Sequence, residues 1–158
     1  MKSQKLEGNP RFVTRQFTNP HKGAKEVKYV QVVAVYPDSA AAMAAFDALK
    51  KSAHSCPPRR HVPAKKVREN FTRYAHDDTW KVSEPTDQRW TRLQGQEVQK
   101  YAASASQYNW LHLIYDFAVR GNTFLAMLYW GRTEPKKSPQ KIIDQARSAV
   151  ELQLKQFQ

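Results

Sequence analysis

The sequence predicts an α+β fold, in which two main α-helices pack on an antiparallel sheet of about five to six strands. The first observation is the order of the apolar patterns, β-β-α-β-β-β-β-α over 158 residues, because no strand–helix–strand unit recurs. The second is a pair of apolar runs, residues 110–119 and 123–130, that flank a short turn. The third is the helical spacing of apolar residues over 38–54 and 138–157.

The two apolar runs predict a long hairpin at the centre of the sheet. Both runs are rich in aromatic and β-branched residues, and Gly121-Asn122 favours the positive φ of a tight turn. A strand that is apolar on both sides is usually covered on both sides, so we expect the hairpin inside the sheet. In the two strands, Leu111, Leu113, Tyr115 and Phe117 alternate with Trp110, Ile114 and Ala118, and Phe124, Ala126, Leu128 and Trp130 alternate with Leu125, Met127 and Tyr129.

The N-terminal part predicts a basic arm followed by an interior strand. The arm covers residues 1–24, and its residues 11–17 alternate as a short edge strand before a loop at 18–25. Residues 26–36 are apolar on both faces, and Pro37 ends this strand because proline has no amide to donate. We expect residues 25–158 to form a single α+β domain.

An alanine-rich helix follows Pro37. Asp38 or Ser39 is its expected N-cap, and the helix continues to about His54. Cys56 and the two prolines after it end the helix. The stripe expected to face the sheet is Ala42, Phe46, Leu49 and Ala53.

The segment after this helix is polar and predicts little regular structure. Residues 59–70 are predicted as a basic loop with some extended backbone, and the pattern over 71–74 is ambiguous. His76-Asp77-Asp78 is predicted as a turn; a cation site at this tripeptide is the less favoured alternative.

Two strands and a closing helix complete the domain. Residues 79–83 predict a short strand with Trp80 and Val82 inward, and 89–98 a strand in which Gly95 marks a bulge or a close backbone approach. Residues 101–107 are predicted as a loop. Ser138 is the expected N-cap of the last helix, with Pro139 at its first position. The buried stripe expected for this helix is Ile143, Ala146, Val150, Leu154 and Phe157, widened by Ile142 and Ala149.

The net charge of +12 is concentrated in two regions. Residues 1–28 have seven Lys and Arg against two Glu, a net charge of +5, and residues 50–73 have eight against Glu69, a net charge of +7. The rest of the chain is balanced. Such charge serves solubility, or it attracts a polyanion such as nucleic acid, an anionic membrane surface or a cell-wall polymer.

The sequence leaves the cellular compartment open. No window approaches the roughly 18 apolar residues of a membrane span, and no signal peptide is visible in the first thirty residues. The chain is therefore cytoplasmic, or extracytoplasmic with its targeting segment absent from this sequence. Cys56 is the single cysteine and decides neither.

No grouping of residues indicates an enzyme, a cofactor or a metal site. The five histidines have no zinc-enzyme spacing, and one cysteine cannot build a cysteine-rich zinc site. Cys56 is close in sequence to His54 and His61, but catalysis needs these groups in contact. With only five glycines, the chain has none of the glycine-rich phosphate-binding motifs.

Two sets of residues are candidates for binding. A basic tract ends in Phe71 and Tyr74, a mixture that suits nucleic acid but also occurs in charged loops with an aromatic turned inward. The tract consists of Arg59, Arg60, His61, Lys65, Lys66, Arg68 and Arg73. The tryptophans on predicted strands belong mostly to the core, and one or two could line a ligand cleft.

Two segments, VQVVAVYPDSAAAMAAFDALKKSAHSC (31–56) and YDFAVRGNTFLAMLYW (115–130) followed by a closing helix, resemble the PknH-like extracellular sensor domain of actinobacterial kinases and sensor-domain lipoproteins. The resemblance covers roughly residues 25–158. It implies an extracytoplasmic α+β domain with a ligand cleft and no catalysis. Family members commonly pair their cysteines and have more chain before the first strand matched here, whereas Cys56 matches the helix-end cysteine without a partner.

These observations favour a non-catalytic extracytoplasmic sensor-like domain that binds an unknown small molecule or an anionic cell-envelope component. The alternatives are a basic nucleic-acid-binding protein and an interaction module whose arm docks on an acidic partner. The residues expected to bind ligand, in a cleft beside the hairpin, are Arg59, Arg60, Lys65, Trp90 and Tyr108.

Overall fold

The computed structural model describes residues 8–19, 26–102 and 107–157. Over these residues the fold is α+β, as predicted. The predicted loops at 18–25 and 101–107 lie largely outside the described residues, as does most of the arm before the first strand. The elements are β1 Arg11–Thr18, β2 Val27–Val35, α1 Ser39–His54, β3 Arg59–Val62, β4 Lys65–Arg68, β5 Phe71–Arg73, β6 His76–Ser83, β7 Thr91–Tyr101, β8 Trp110–Arg120, β9 Thr123–Thr133 and α2 Gln140–Lys155.

Seven of the described strands form one antiparallel sheet in the order β1-β2-β9-β8-β7-β6-β3, and β4 and β5 form a separate hairpin. The prediction of five to six strands was wrong because it missed β3. This strand lies at the rim of the sheet, and three of its four residues are the polar Arg59, Arg60 and His61. A rim strand is held by backbone pairing and tolerates charged side chains, so it lacks the apolar alternation that marks an interior strand.

The hairpin β8–β9 lies at the centre of the sheet, as predicted, and it is covered on both faces. On one face, Tyr115, Phe117 and Phe124 pack with Ala42 and Phe46 of α1. On the opposite face, two clusters join the hairpin to α2. These clusters include Ile114, Ala118, Leu125 and Met127 from the hairpin and Ile142, Ala146 and Val150 from the helix.

The tight turn of the hairpin is tied to the start of the first helix. Gly121 supplies the positive φ, at 54°. Asn122 makes two hydrogen bonds with Tyr36. Its side-chain amide donates to the Tyr36 carbonyl, and its backbone carbonyl accepts the Tyr36 N–H. The turn therefore helps to fix the chain where it leaves β2 for α1.

The two helices begin differently. Asp38 caps α1 as predicted, accepting the N–H of Ala41 at 2.8 Å. The expected N-cap Ser138 of α2 was off by one residue, because Pro139 occupies the cap position and Ser138 Oγ accepts only from Gln140 N–H at 3.2 Å. The most buried side chains of α2 are Ile142, Ala146, Val150 and Leu154, so Ile142 takes the place expected for Ile143. Neither helix has the length and apolar character required to cross a bilayer.

The polar segment between α1 and β7 is more ordered than predicted. The expected basic loop contains β3 and β4, and the ambiguous residues 71–74 contain β5. The turn expected at His76-Asp77-Asp78 was wrong, because these residues begin β6 and pair with β3 and β7. Their polar side chains form hydrogen bonds with Tyr74, His61 and Arg60. These partners cannot be recognised from the linear sequence, where a polar tripeptide is typical of a turn.

A buried ion pair lies on the α2 side of the sheet. The Asp116 side chain is 1% exposed, and its Oδ2 lies 2.8 Å from Nη2 of Arg92, whose side chain is 10% exposed. Gln94 also donates to Oδ2, at 3.3 Å. Burial raises the pKa of the Asp116 carboxyl, and the hydrogen bond from Arg92 opposes this rise. The pair is therefore a point where removing one partner leaves a charge stranded in the core.

We expect Arg92→Met to lower the free energy of unfolding by about 3–5 kcal/mol near pH 7, because it strands the Asp116 carboxylate. Since burial raises the pKa of Asp116, the folded state binds this proton more tightly than the unfolded chain does. Stability from this group therefore rises as the pH falls. The deficit of the variant should shrink between pH 7 and about pH 4, near the ordinary pKa of aspartate. Urea titrations at the two pH values measure it.

The matched control is Arg147→Met on the exposed side of α2. Arg147 Nη1 lies 3.9 Å from Asp144, and both side chains are more than half exposed. Its loss should change the free energy of unfolding by less than about 0.5 kcal/mol. A deficit of Arg92→Met that is equal at both pH values would contradict proton uptake by Asp116.

Candidate functional site

A cavity of about 330 Å³ lies where the C-terminal end of α1 meets the β3 side of the sheet. This volume is at the lower end of the range for small-molecule sites. The helix contributes Leu49 and Ala53, the segment after it contributes Pro57, and the sheet contributes the rings of Trp80 and Phe117. The walls are therefore largely apolar.

The register of three strands brings polar side chains to the same cavity. Arg60 of β3 is paired with Asp78 of β6, and Trp80 of β6 is paired with Glu97 of β7. Because side chains alternate along a strand, all four project from the face of the sheet that α1 covers. The helix ends at His54, so these side chains border open space at the end of the helix.

Asp78 is the most buried charged group of the cavity, with a side chain only 7% exposed. Its Oδ2 accepts a hydrogen bond from Nη2 of Arg60 at 2.7 Å, and this bond raises the pKa of Arg60. The Arg60 side chain is 59% exposed, so it reaches the carboxylate from the solvent side. Oδ1 has no hydrogen-bond partner, although Nε2 of His76 lies 3.2 Å away.

Glu97 is the second carboxylate of the cavity. Its Oε1 accepts from the Gln99 amide at 2.7 Å, and its Oε2 accepts from the Tyr115 hydroxyl at 2.9 Å. Burial, followed by the nearby charge of Glu97, raises the pKa of Tyr115, so that hydroxyl stays protonated and donates. The carboxylate is thus held in a fixed position at the cavity.

Trp80 is a rigid wall because three groups hold it. Its indole N–H donates to the carbonyl of Ala53 at 2.8 Å, which links the sheet to the last turn of α1. Its ring lies 5.8 Å from that of Tyr115 in an edge-on arrangement. It also lies over Gly95, so closely that a Cβ atom at this position would overlap the ring. The close approach predicted at Gly95 is confirmed, and the strand pairing runs through it without a bulge.

Cys56 lines the cavity as an exposed free thiol. The thiol donates to the carbonyl of Ser52 at 3.4 Å. The two nearest histidines in sequence have other partners, since His54 bonds to Glu84 and His61 bonds to Asp77. The Cys–His contact that nucleophilic catalysis requires is not formed by these residues. Among the described residues, no group of three His, Cys, Asp or Glu side chains is placed to hold a metal ion.

The five residues expected to bind ligand do not meet at one place. Arg60 lines the cavity, whereas the neighbouring Arg59 projects from the opposite face of β3. Lys65 is exposed on β4, and Trp90 is buried in the cluster between the hairpin and α2. Tyr108 is half-buried before β8, where its carbonyl accepts from Arg132 at 3.4 Å. A ligand role for these residues stays a prediction.

Of the residues that line the cavity, Arg60 was among those expected to bind ligand, whereas Asp78 and Glu97 were missed. Trp80 was considered only as one of the tryptophans that could line a cleft. The signal for Asp78 was present in the pattern of β6. Extending the two-residue alternation backwards from Trp80 places Asp78 and His76 on the same face as the ring. Glu97 gave no such signal, because its position depends on pairing between β6 and β7.

Comparisons with known proteins indicate a fold. No protein-family model and no curated protein matches the chain. The crystal structure of the extracellular domain of PknH from Mycobacterium tuberculosis is similar, with a TM-score of 0.51 and 14% sequence identity. The match covers 85% of this chain but only 64% of that one. It supports the resemblance at the level of structure, while membership of the family stays a prediction.

We expect Gly95→Ala to destabilise the protein by about 1–3 kcal/mol, because the new methyl group forces the Trp80 ring out of its place. The displaced indole should also lose its hydrogen bond to Ala53, which the chemical shift of the indole proton reports. A denaturation series measures the loss of stability.

The control is a double-mutant cycle with Trp80→Phe, whose smaller ring leaves room for the methyl group. Gly95→Ala should cost less in that background than in the parent protein, which gives a coupling between the two sites. Strictly additive effects would contradict the close approach as the cause.

Proposed function

We propose that this chain is a non-catalytic, sensor-like domain that binds a small ligand in the cavity at the end of α1. The observation that carries the proposal is the cavity itself, in which the apolar walls of Leu49, Trp80 and Phe117 surround a few fixed polar groups. Small-molecule sites have this composition. The similarity in fold to the extracellular domain of PknH also favours a sensor-like domain.

The partners of the polar side chains favour binding over catalysis. Asp78 is bonded to Arg60, and Glu97 to Tyr115 and Gln99. Fixed groups of this kind orient a ligand. A covalent mechanism needs a nucleophile in contact with a base, and the thiol of Cys56 instead donates to a backbone carbonyl.

An extracytoplasmic location is part of the proposal. It rests on the similarity in fold to an extracellular domain and on the resemblance of residues 31–56 and 115–130. Protease treatment of intact cells tests it, since an external domain is cleaved without lysis and a cytoplasmic one is protected.

Cys56 allows ligand binding to be measured at the cavity, because it is the single cysteine of the chain and is exposed there. We expect a small environment-sensitive fluorophore on Cys56 to respond saturably to at least one compound from a panel of small metabolites, cell-wall fragments and soluble lipids. The response should follow a single binding isotherm, and calorimetry on the unlabelled protein should give the same dissociation constant.

The matched control moves the label to the other face of the sheet. In the variant Cys56→Ser with Ser148→Cys, the thiol lies on the exposed side of α2. The same compound should bind without a change in fluorescence. If no compound gives a saturable signal at Cys56, the ligand-binding function is wrong.

The hairpin β4–β5 favours a second candidate function, binding of single-stranded nucleic acid. All seven residues of these strands are exposed. Phe71 and Tyr74 are 52% and 65% exposed. Phe71 pairs with Arg68, whose guanidinium lies 6.0 Å from the centre of the ring, and the same hairpin contains Lys65, Lys66 and Arg73. Basic residues neutralise phosphates, and exposed aromatic rings provide surfaces on which bases stack.

If this hairpin binds single strands, the logarithm of the affinity should fall with the logarithm of salt concentration by about 0.7 per phosphate contact. Replacing both Phe71 and Tyr74 by alanine should weaken binding about fivefold or more through lost stacking. Phe12→Ala, an equally exposed aromatic on the other basic strand β1, is the control. Fluorescence anisotropy with a labelled oligonucleotide measures both, and an affinity independent of salt would remove this candidate.

A further inference from the structure

We propose that the cavity at the end of α1 selects a cationic ligand, namely an ammonium or guanidinium group attached to a small apolar body. This inference rests on the proposed function, since it names the chemical class that the cavity would bind. It reverses the expectation from the overall net charge of +12, which favours anionic partners.

The charges that line the cavity are acidic in sum. Asp78 and Glu97 contribute two carboxylates, and Arg60 contributes one guanidinium. The cavity also lies at the C-terminal end of α1, where Ser52 and Ala53 line it. The carbonyl end of a helix has a partial negative charge, which attracts cations. Three negative sources therefore face one positive side chain.

The unpartnered oxygen of Asp78 is independent support. The side chain is more than nine-tenths buried, and Oδ1 has no hydrogen-bond partner. Nδ1 of His76 lies 2.9 Å from the carbonyl of Tyr74, which can only accept, so Nδ1 carries a proton. Nε2 of the same ring lies 3.2 Å from Oδ1 without forming a hydrogen bond. Among the described residues, Arg60 is thus the one hydrogen-bond donor to this carboxylate. A carboxylate can accept several charged donors, so Asp78 has capacity for one from a ligand.

Arg60 occupies the place that such a ligand would take. It binds Oδ2 of Asp78, yet its side chain is 59% exposed and belongs to the rim strand β3. Because the Arg60 side chain is more than half exposed, its guanidinium can move into solvent when another cation takes its place at the carboxylate. An incoming cation would replace it at the carboxylate, with its apolar part against Trp80 and Phe117. Aromatic rings also attract cations. Arg60 is thus a built-in competitor for the ligand.

If Arg60 competes with the ligand, the effect of removing it on affinity has a definite direction. Arg60→Ala should tighten the binding of a cation, because the carboxylate loses its resident partner. The same substitution should weaken the binding of an anion. Arg59→Ala removes the same charge from the adjacent position of β3, but that side chain projects away from the cavity. It should leave cation binding unchanged.

The experiment uses three probes that share one phenyl body: phenethylammonium, phenethyl alcohol and phenylpropionate. Binding to the full chain is measured by calorimetry near pH 7, where the amine is charged and the acid is ionised. The ammonium probe should bind at least about tenfold more tightly than either of the others, the effect expected for one charge-assisted hydrogen bond. It should also change the signal of a fluorophore on Cys56, which locates the binding.

Two carboxylate variants complete the design. Asp78→Asn should weaken the ammonium probe by about tenfold or more, since the amide is neutral. Asp77→Asn, at the adjacent exposed position of β6, should not change the affinity. If Asp78→Asn does not fold, Glu97→Gln tests the second carboxylate in the same way, and circular dichroism monitors folding of each variant.

Three results would overturn the assignment of a cation. They are tighter binding of phenylpropionate or phenethyl alcohol, weaker ammonium binding after Arg60→Ala, and no ammonium binding up to about 10 mM, where a millimolar complex would be saturated. In each case a saturable response of the Cys56 label to another compound leaves the ligand-binding function standing. Failure of the whole panel at Cys56 overturns both.

Discussion

The hairpin β8–β9 is apolar on both faces, and the need to bury both faces is the constraint on which the rest of the structure depends. One helix can cover only one side of a sheet, so α1 and α2 pack on opposite sides of the same two strands. The flanking strands β2 and β7 complete the backbone pairing of the hairpin. The bonds between Asn122 and Tyr36 then join its turn to the start of α1.

The cavity is a consequence of the length of α1. Sixteen helical residues extend about 24 Å at 1.5 Å per residue. The helix covers the centre of the sheet and ends near β6 and β3, where polar side chains have replaced apolar ones. Trp80 joins β6 to the last turn of the helix, because its indole N–H donates to the carbonyl of Ala53. The same residue thus belongs to the core on one side and to the candidate site on the other.

The predictions from sequence succeeded where burial dictates the residue type. The hairpin, β2, α1 and most of the buried stripe of α2 follow from apolar periodicity, because these elements have faces that must be covered. Periodicity failed at β3 and at the start of β6, where Arg60 pairs with Asp78 and Val62 with His76. These positions are fixed by strand pairing between polar residues. The cavity was missed for the same reason, since Asp78 and Glu97 come together only through the register. The net charge of the chain, +12, also gave no sign that two carboxylates and one guanidinium line the cavity.

Each rim strand of the sheet has two arginines from one of the two basic regions of the chain. Arg11 and Arg15 lie on β1, and Arg59 and Arg60 lie on β3. Among the described strands, β1 and β3 each pair with one neighbour in this sheet, and β1 also exposes Phe12 and Phe17. If two copies approached rim to rim, arginines would face arginines and repel. Like charge on the rim strands disfavours edge-to-edge pairing of two copies, the route by which a sheet extends from one molecule into the next.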